Sequence, residues 1–562
     1  MHHHLSLRNK LIIMISVMAS LFLVALDQTI IATALGKIVE EFNAFSSLSW
    51  IVTAYLITTT ITVPIAGKLS DIFGRRNILL IGVAIFVGAS LMSGLSGNVT
   101  ELIAWRAVQG IGGGIITANA FTIVGDLFAA RERGRWQGLI GAVFGLASVV
   151  GPLLGGWLTD GQSVFNLTTD WRWTFFINVP IGILAFILIA IYSPALRHAV
   201  KAKIDYVGAA LLSVSLATLI LAVDNTDVIF ADLLSATGLS LAGLRIIMFM
   251  IVAASTAGFI YIENKVKEPI LPLKFFKNRN YVTILIVATM FGAAFMGSIL
   301  YLTQFNQQVF GASPTDSGLM LLPMVAGIMV SSIASGQIIS RTGRYKIFMQ
   351  VGFLVATGAM IALTFLSPEM SYGYEAVVMI ILGLGMGVAM PVLNLAIQNE
   401  VEQKDLGVAT SSSQLFRSLG STIGTAVFGA MLTAGILTQV PAMRDTAYIQ
   451  TLAQSGQVAR LGSIDDPNTL LTINMPDIKN EIASAAQSQF DKLPAPYAEK
   501  ASSEFTKNQD EFASKVTHAF SDSLQRIFIV AASLIGMAAV LVFTLKEKKL
   551  RSASPDTTPG DL

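Results

Sequence analysis

The chain has 562 residues, of which 53% are hydrophobic and only 13% are charged, and its mean hydropathy is +0.67. Soluble domains carry roughly 25% charged residues, so this composition excludes an ordinary soluble protein and indicates an integral membrane protein. The net charge of +2 comes with no basic patch that would bind nucleic acid, and the lack of cysteine excludes disulfides, thiolate metal sites and cysteine nucleophiles.

Fourteen apolar segments of the sequence are long enough to cross the ~30 Å core of a bilayer, which takes about 20 helical residues. The alternating pattern of a membrane barrel is absent, so we predict an all-α protein with fourteen membrane-spanning helices. Asp27 interrupts the first run where a signal peptide would be cleaved, and we therefore interpret that run as a retained span. The predicted spans are 11–34, 48–67, 77–96, 102–124, 136–158, 173–193, 205–223, 242–262, 280–302, 316–339, 346–366, 374–397, 407–437 and 525–545.

The distribution of lysine and arginine predicts the orientation of these spans. With the N-terminus inside, the inner segments contain 24 of these bases. The short outer loops and adjoining helix ends contain three, namely Lys37, Arg172 and Arg245. Because short loops rich in lysine and arginine stay on the cytoplasmic side, we predict a multi-pass protein with both termini in the cytoplasm.

The segment 67–76, GKLSDIFGRR, joins spans 2 and 3 and is the most informative stretch of the chain. Gly67 and Gly74 suit a tight reversal, because glycine tolerates positive φ. Asp71 is a carboxylate at a helix end, where the N-terminus of a neighbouring helix or an arginine would stabilise it. The segment is therefore either a latch between helix pairs or a solvated charged turn.

A weaker copy of this segment lies at 336–346, GQIISRTGRYK, at an offset of 269 residues, and Ser340 stands there in place of Asp71. The same offset maps span 1 onto span 9. We therefore predict two related six-helix halves with spans 7 and 8 inserted between them, an arrangement typical of transporters. The predicted domains are an N-terminal half (1–200), an inserted pair with its linkers (201–279), a C-terminal half (280–545) and a cytoplasmic tail (546–562).

The segment 438–524, inside the C-terminal half, is predicted to be a long extracellular loop between spans 13 and 14. It is mildly acidic, and the stretches 478–491 and 499–524 have helical character. It is either a solvated extension of the two spans or a lid or partner-binding element.

Few ionisable residues lie deep inside the predicted spans, where each costs several kcal/mol and is a functional candidate by default. From a rise of ~1.5 Å per residue, Asp27 and Arg106 lie at the same depth in the outer half of the membrane. A nearby positive charge favours the ionised carboxylate, whereas burial favours the neutral form. Asp27 is therefore either a proton carrier that responds to Arg106 or one half of a static ion pair.

Arg417 is predicted near the midplane, either as a charge that faces the substrate or as a structural hydrogen-bond donor to carbonyls. Glu375 stands at the repeat position of Arg106, at the outer end of span 12, and is expected at the membrane interface. Asp126 is expected to be a gate or capping residue. Polar side chains that would line a substrate cavity with Arg417, or else bond neighbouring helices, are Gln28, Gln109, Gln304, Gln307, Asn394 and Gln414.

Glycines in spans 4, 5 and 13 have the spacing that permits tight helix crossing, and a Gly–Pro pair inside a span predicts a kink or hinge. Span 5 contains GAVFGLASVVGPLLGG at 141–156. The repeat offset places Gly420 and Gly424 of span 13 at the positions of Gly151 and Gly155. The motif positions of span 5 are Gly145, Gly151, Pro152, Gly155 and Gly156.

These motifs resemble those of the major facilitator superfamily. GKLSDIFGRR resembles its loop 2–3 signature, RAVQGIGGG at 106–114 its helix-four signature, and GAVFGLASVVGPLLGG its antiporter signature. LDQTIIATALGKI at 26–38 is similar to the helix-one signature of the fourteen-helix drug:proton antiporter branch. The resemblance implies rocker-switch alternating access, efflux driven by protons, and proton coupling by Asp27 and Arg106. It also implies a cytoplasmic gate at the residues Gly67, Asp71, Gly74, Arg75 and Arg76.

The predicted function is proton-coupled export of amphipathic drugs or toxic compounds across a bacterial plasma membrane, which would confer antibiotic resistance. We expect a monomer that uses the proton gradient, no cofactor and no nucleic-acid partner. The alternative is an exporter of a lipid or an acylated metabolite on the same fold. A membrane enzyme would need a catalytic constellation that the sequence lacks, and no Walker loop is present for ATP. A receptor or adhesion scaffold built on 438–524 would function without Asp27.

Overall fold

A computed structural model of the protein describes residues 6–42, 48–159, 161, 163–164, 167–193, 205–223, 226–312, 314–454, 467–474, 476–548 and 550. This part of the chain is helical except for one hairpin of two-residue strands. Fourteen of its helical spans have the length and composition to cross a membrane. The predictions of an all-α membrane protein and of fourteen spans are therefore confirmed.

The N-terminal half contains five long helices and a sixth that is broken into two. These helices are α1 (Leu7–Phe42), α2 (Leu48–Phe73), α3 (Arg75–Gly94), α4 (Val99–Leu127), α5 (Ala130–Thr159), α6 (Trp173–Phe176) and α7 (Asn178–Tyr192). The hairpin of β1 (Ser163–Val164) and β2 (Leu167–Thr168) lies between α5 and α6 and is antiparallel, with Ser163 opposite Thr168.

Among the described residues, the inserted segment and the C-terminal half also consist largely of helices. The inserted helices are α8 (Tyr206–Val223), α9 (Thr226–Ile229), α10 (Ala231–Thr237) and α11 (Leu241–Glu263). The C-terminal half begins with α12 (Arg279–Gln308), α13 (Pro314–Met320), α14 (Leu322–Thr342), α15 (Lys346–Leu363), α16 (Tyr372–Gln398) and α17 (Leu406–Leu437). Short 3-10 helices at Leu273–Lys277 and Gln403–Asp405 precede α12 and α17.

Two predicted spans are interrupted where a proline removes a backbone donor. Span 6 breaks at Ile177 and span 10 at Leu321. Pro180 and Pro323 lie just beyond these breaks, and neither can donate the hydrogen bond that would continue the preceding helix.

The long loop before the last span is a folded helical layer in the part that the structure describes. It contains α18 (Val440–Arg444), α19 (Ala447–Gln454), α20 (Pro467–Ile473) and α21 (Pro476–Phe490), and it leads into the 50-residue helix α22 (Ala495–Thr544). Tyr448 packs against Phe505 and Phe512 at ring-centroid distances of 5.5 and 5.4 Å, and it accepts a hydrogen bond from Gln509 at 3.0 Å. Span 14 is thus the end of a helix that extends well beyond a membrane, and other helices pack on that extension.

Corresponding helices of the two halves pack in the same pairs. In the N-terminal half α1 packs on α5, α2 on α4 and α3 on α4. In the C-terminal half α12 packs on α17, α14 on α16 and α15 on α16. The halves meet along two seams, α5 with α14 and α2 with α17. The offset of 269 residues maps the first set of pairs onto the second, so the internal repeat is visible in the packing.

The inserted helices lie at the outside of this bundle. Helices α8 and α11 pack on each other, and α8 also contacts α2 and α17. Only 22% of the most apolar stretch of α11 is buried, the lowest share among the membrane-length helices. Its exposed residues include Phe249, Met250 and Tyr261, as expected of a helix that faces lipid.

We refer to the end of the bundle where α2, α4, α11, α14 and α16 finish as the basic end, because its loops carry most of the lysines and arginines. At the α5–α14 seam two glycines let the backbones touch near this end. A Cβ on Gly138 would lie 2.4 Å from the carbonyl oxygen of Ser332, and one on Gly336 would lie 2.4 Å from that of Gly134. The hydroxyl of Ser332 donates a hydrogen bond to the Gly138 carbonyl at 2.9 Å.

We expect Gly138→Ala to destabilise the protein by about 1–3 kcal/mol, because the added methyl group would push α5 away from α14. The measurement is the thermal unfolding midpoint of the purified protein, followed by tryptophan fluorescence. Gly88→Ala on α3 is the matched control, since a Cβ there has no atom within 4 Å. Equal midpoints for the two variants would contradict this account of the seam.

Candidate functional site

The motif residue Asp71 connects the two halves at the basic end. The guanidinium of Arg75 donates a hydrogen bond to its Oδ1, and the backbone N–H of Val408 donates to its Oδ2 at 3.2 Å. Val408 lies in the first turn of α17, where backbone N–H groups have no partner within the helix and favour a negative charge. Arg75 also donates from Nε to Asp126 of α4 at 2.8 Å, and only 1% of Arg75 is exposed. One buried arginine thus holds two acids of the N-terminal half, one of which caps a helix of the other half.

Further hydrogen bonds cross between the halves at the same level. Gln403 donates to the carbonyl of Gly125 at 3.0 Å and to Asp126 at 3.1 Å. Arg133 donates to the same carbonyl at 2.7 Å and to Gln403 at 3.1 Å. Deeper in the bundle, Gln398 accepts from Gln137 at 2.9 Å. Polar contacts between the halves therefore close the basic end, and the contact between Gln137 and Gln398 is fully buried.

The remaining residues of this motif lie outside the Asp71–Arg75–Asp126 cluster. Gly67 lets α2 approach α17, because a Cβ there would lie 2.3 Å from the hydroxyl of Ser411. Gly74 has φ 93°, a conformation that favours glycine, and it precedes α3. Arg76 does not join the cluster, since it donates to the carbonyl of Ala190 in α7.

The linker after α11 also contacts the motif helix. Lys68 forms an ion pair with Glu268 at 2.7 Å. Glu263 accepts the backbone N–H groups of Ile270 and Leu271 at 3.1 and 3.2 Å, which fixes the linker's path. A cavity of about 530 Å³ lies here between α2, the linker and the start of α17.

Burial along three helices shows on which side the bundle is closed. Every residue is buried in the stretches Gly112–Gly125 of α4, Gly385–Gln398 of α16 and Leu406–Leu415 of α17. All three stretches are at the basic end. Toward the opposite end the same helices bury only some faces, so the halves are closed at the basic end and less tightly packed at the other.

Asp27 and Arg106 form an ion pair inside the N-terminal half, toward the opposite end. Arg106 donates from NH1 to Asp27 Oδ2 at 2.5 Å, and Gln109 donates to Asp27 Oδ1 at 2.8 Å. Asn178 of α7 reaches the same oxygen at 3.4 Å, and the guanidinium carbon lies 4.4 Å from the ring centroid of Tyr55. Asp27 is 0% and Arg106 is 1% exposed. The arrangement places a guanidinium and an amide against one carboxylate inside the N-terminal half.

The polar residues predicted to line a cavity do not form one surface. Gln109 is 0% exposed and belongs to the Asp27 network, so in this conformation it lines no cavity. Asn394 and Gln414 are also buried, whereas Gln28 is exposed. Gln304 and Gln307 are partly exposed on α12, and Gln307 donates to Ser317 at 2.9 Å.

The glycine motif of α5 permits close contact with both halves. A Cβ on Gly151 would lie 2.0 Å from the hydroxyl of Thr29 in α1, and one on Gly145 would lie 3.3 Å from Met329 in α14. Pro152 contacts Gly318 of α13, and Thr159 donates to the carbonyls of Gly155 and Gly156 at 2.8 and 3.0 Å. In α17, Cβ atoms on Gly420 and Gly424 would meet Thr289 and Ala293 of α12 at 2.0 and 2.5 Å. The glycine-rich helices α5 and α17 therefore occupy equivalent places in the two halves.

Residues 17–425 match the family described as Major Facilitator Superfamily. The chain belongs to the major facilitator superfamily. It is a multi-pass membrane transporter and not an enzyme.

Among curated proteins, the chain is similar to "Multidrug transporter protein MdtP" of Bacillus subtilis (strain 168), with 34% identity over 94% of this chain and 92% of the relative. It is also similar to "Multidrug resistance protein 3" of the same organism, with 35% identity over 75% of this chain and 79% of the relative. Among solved structures, the proton:xylose symporter XylE aligns with a TM-score of 0.53, 16% identity, and coverage of 75% of this chain and 88% of that one. This last likeness shows the fold.

Glu375, predicted at the membrane interface, lies in the first turn of α16 and is 0% exposed. Asn306, also 0% exposed, is its polar neighbour, and neither carboxylate oxygen makes a hydrogen bond of ordinary geometry within the described residues. The repeat offset places Met296 at the position of Asp27 and Glu375 at that of Arg106, so this transporter has its buried ion pair in one half only.

Sequence analysis missed two members of the Asp27 site. Asn178 lies one turn inside span 6 at the same end as Asp27, so the depth argument used for Arg106 would have selected it. Tyr55 carries no comparable signal, because an aromatic residue in a span is ordinary. Its place beside Arg106 depends on how α2 packs on α4.

We expect Asp71→Asn to weaken closure at the basic end, because it removes the charge held by Arg75 and by the N-terminus of α17; hydrogen bonds to charged groups are worth about 1.5–3 kcal/mol. The measurement is the distance between spin labels on Glu132→Cys and Lys404→Cys, two exposed positions of opposite halves. The chain has no cysteine of its own. Longer distances should become populated.

Arg76→Gln is the matched control, since Arg76 belongs to the same motif but bonds within its own half. Its distance distribution should equal that of the wild type. The latch interpretation would be wrong if Asp71→Asn left the distribution unchanged, or if both variants changed it alike.

Proposed function

We propose that the protein exports amphipathic compounds in exchange for protons by alternating access. The observation that carries the proposal is the fully buried Asp27–Arg106 pair inside the N-terminal half. The names of the relatives, a multidrug transporter and a multidrug resistance protein, support the substrate class. No cofactor is required, because the proton gradient supplies the energy.

Asp27 would carry the proton. A buried carboxylate is stable as an ion only beside a counter-charge, so protonation of Asp27 and its pairing with Arg106 exclude each other. When a proton binds, the guanidinium keeps the side-chain oxygen of Gln109 at 2.9 Å and the carbonyl of Ile51 at 3.4 Å as acceptors. Arg106 can then shift without being left unpaired. When the guanidinium of Arg106 returns to Asp27, the carboxyl group would release its proton.

Helix α4 would connect this exchange to the gate. It carries Arg106 and, twenty residues later, Asp126, which is about 30 Å along a helix. Asp126 holds Arg75, which holds Asp71 against the start of α17. A displacement of α4 that follows a change at Asp27 would therefore act on the contacts that close the basic end.

The orientation is part of the proposal. Short lysine- and arginine-rich loops remain in the cytoplasm, so the basic end would face the cytoplasm of a bacterium and both termini would lie inside. The described conformation, closed at the basic end, would then be open to the outside. The transporter would act as a monomer.

A second candidate is export of a lipid or an acylated metabolite. It is favoured by the packed layer of α18–α21 on α22, which would lie outside the membrane above the exit. A folded layer of this kind can guide an apolar product away from the bilayer.

The experiment for the leading proposal is dye accumulation in energised inside-out vesicles. Asp27→Asn cannot ionise, so we expect uptake of an amphipathic dye to fall at least to the level seen with a proton uncoupler. Uptake by the wild type should require the gradient. If the Asp27→Asn variant took up the dye as well as the wild type does, Asp27 would not be the proton carrier.

Glu41→Gln is the matched control, because Glu41 is another acid of α1 and has an arginine partner, Arg172 at 2.7 Å. Arg172 holds the pKa of Glu41 below its usual range, and 43% of the Glu41 side chain is exposed. Exposed pairs contribute little, so transport should be close to normal. If no amphipathic dye moves even in the wild type, the multidrug proposal fails and lipid export becomes the leading candidate.

A further inference from the structure

Arg417 occupies a distinctive position in the C-terminal half. It lies on α17 two residues beyond the fully enclosed stretch Leu406–Leu415, so it is at the inner limit of the less tightly packed part of the bundle. Gly292 of α12 touches its backbone, since a Cβ on that glycine would lie 2.1 Å from the Arg417 carbonyl oxygen. Arg417 itself is partly exposed.

The side chain of Arg417 points into the bundle and not toward lipid. Its Nε and NH2 donate to one oxygen of Gln414, at 3.2 and 2.5 Å. Gln414 in turn donates to Asn394 of α16 at 3.4 Å. The buried amide of Gln414 thus holds the guanidinium, and Asn394 of α16 holds that amide.

Arg417 has no acidic partner among the residues that the structure describes. Arg75 is paired with Asp71 and Asp126, and Arg106 is paired with Asp27. A guanidinium has five N–H groups, and only the two bonds to Gln414 satisfy those of Arg417 within the described chain. A charge at this depth is costly unless a partner compensates it. The remaining N–H groups of this partly exposed side chain are therefore available to water or to a bound compound.

Helix α12 provides an accessible surface next to this arginine. Its exposed or partly exposed residues include Met290, two positions from Gly292, and farther along Met296 and Leu300. Gln304 and Gln307 lie toward the far end of the same helix, about 18–22 Å beyond Gly292. Apolar and thioether groups near a fixed cation suit a ligand with an apolar body and one anionic group.

We propose that Arg417 binds the anionic group of the exported compound, so that this transporter prefers amphipathic anions such as carboxylates. The inference rests on the proposed export function and specifies its substrate class. Asp27 cancels the charge of Arg106, whereas no ion pair within the described residues cancels that of Arg417. An acid would bind it by charge-assisted hydrogen bonds, and a cationic amphiphile would be repelled.

The test is binding of dansylaminoundecanoic acid and of its methyl ester to the full-length protein in nanodiscs, measured by dansyl fluorescence. The two probes differ only in the charge of one group. Wild type should bind the acid about tenfold or more tightly than the ester, as expected for hydrogen bonds to a charged group. Arg417→Gln should lose this preference while its affinity for the ester remains unchanged. Arg417→Lys should retain part of it, because lysine keeps the charge without the planar fork.

Gln414→Glu is a second variant that keeps the size of the side chain and places a carboxylate on Arg417. It should lose the preference for the acid as Arg417→Gln does, and it keeps the test decisive if Arg417→Gln fails to fold. The inference is overturned if the wild type binds both probes equally, or if Arg417→Gln weakens both alike, which would indicate a structural role. Neither binding result bears on proton-driven efflux that depends on Asp27. If that efflux were absent, the proposed function would be refuted, but the binding result would stand.

Discussion

A charged side chain inside a membrane is stable only beside a partner, and this requirement arranges the interior of the protein. At the basic end, Arg75 holds Asp71 and Asp126, and Asp71 also caps α17 of the other half. Toward the opposite end, Asp27 and Arg106 neutralise each other. Each partnership joins different helices, so a change of charge at either site is also a change of helix packing.

Helix α4 is central to this arrangement because it contributes to both sites. Its stretch Gly112–Gly125 is enclosed on every side, and glycines at its outer part allow α2 and α3 to approach closely. A helix that is packed this closely on every side can move only as a rigid unit. The gate and the buried ion pair therefore share one rigid element.

The sequence predicted the number of spans and the depth of Asp27 and Arg106, since long apolar runs and a constant rise per residue determine both. It could not predict contacts that depend on how helices pack. Gln109 was assigned to a cavity, yet it bonds Asp27. Nor could the sequence show that the helices around Glu375 bury this residue completely. The breaks at Ile177 and Leu321 follow from Pro180 and Pro323 and were within reach of sequence analysis.

The two seams between the halves correspond under the internal repeat but are built differently. At the α2–α17 seam the Asp71 latch is present, and Ser340 replaces its acid at the α5–α14 seam. Glycines let the backbones approach at both seams, and the α5–α14 contact is the more extensive of the two. Ionic contacts can be exchanged for water at small displacements, whereas interlocked backbones cannot. We therefore expect the halves to rotate about the α5–α14 seam. Helices α5 and α14 would stay in contact while α2 and α17 move apart.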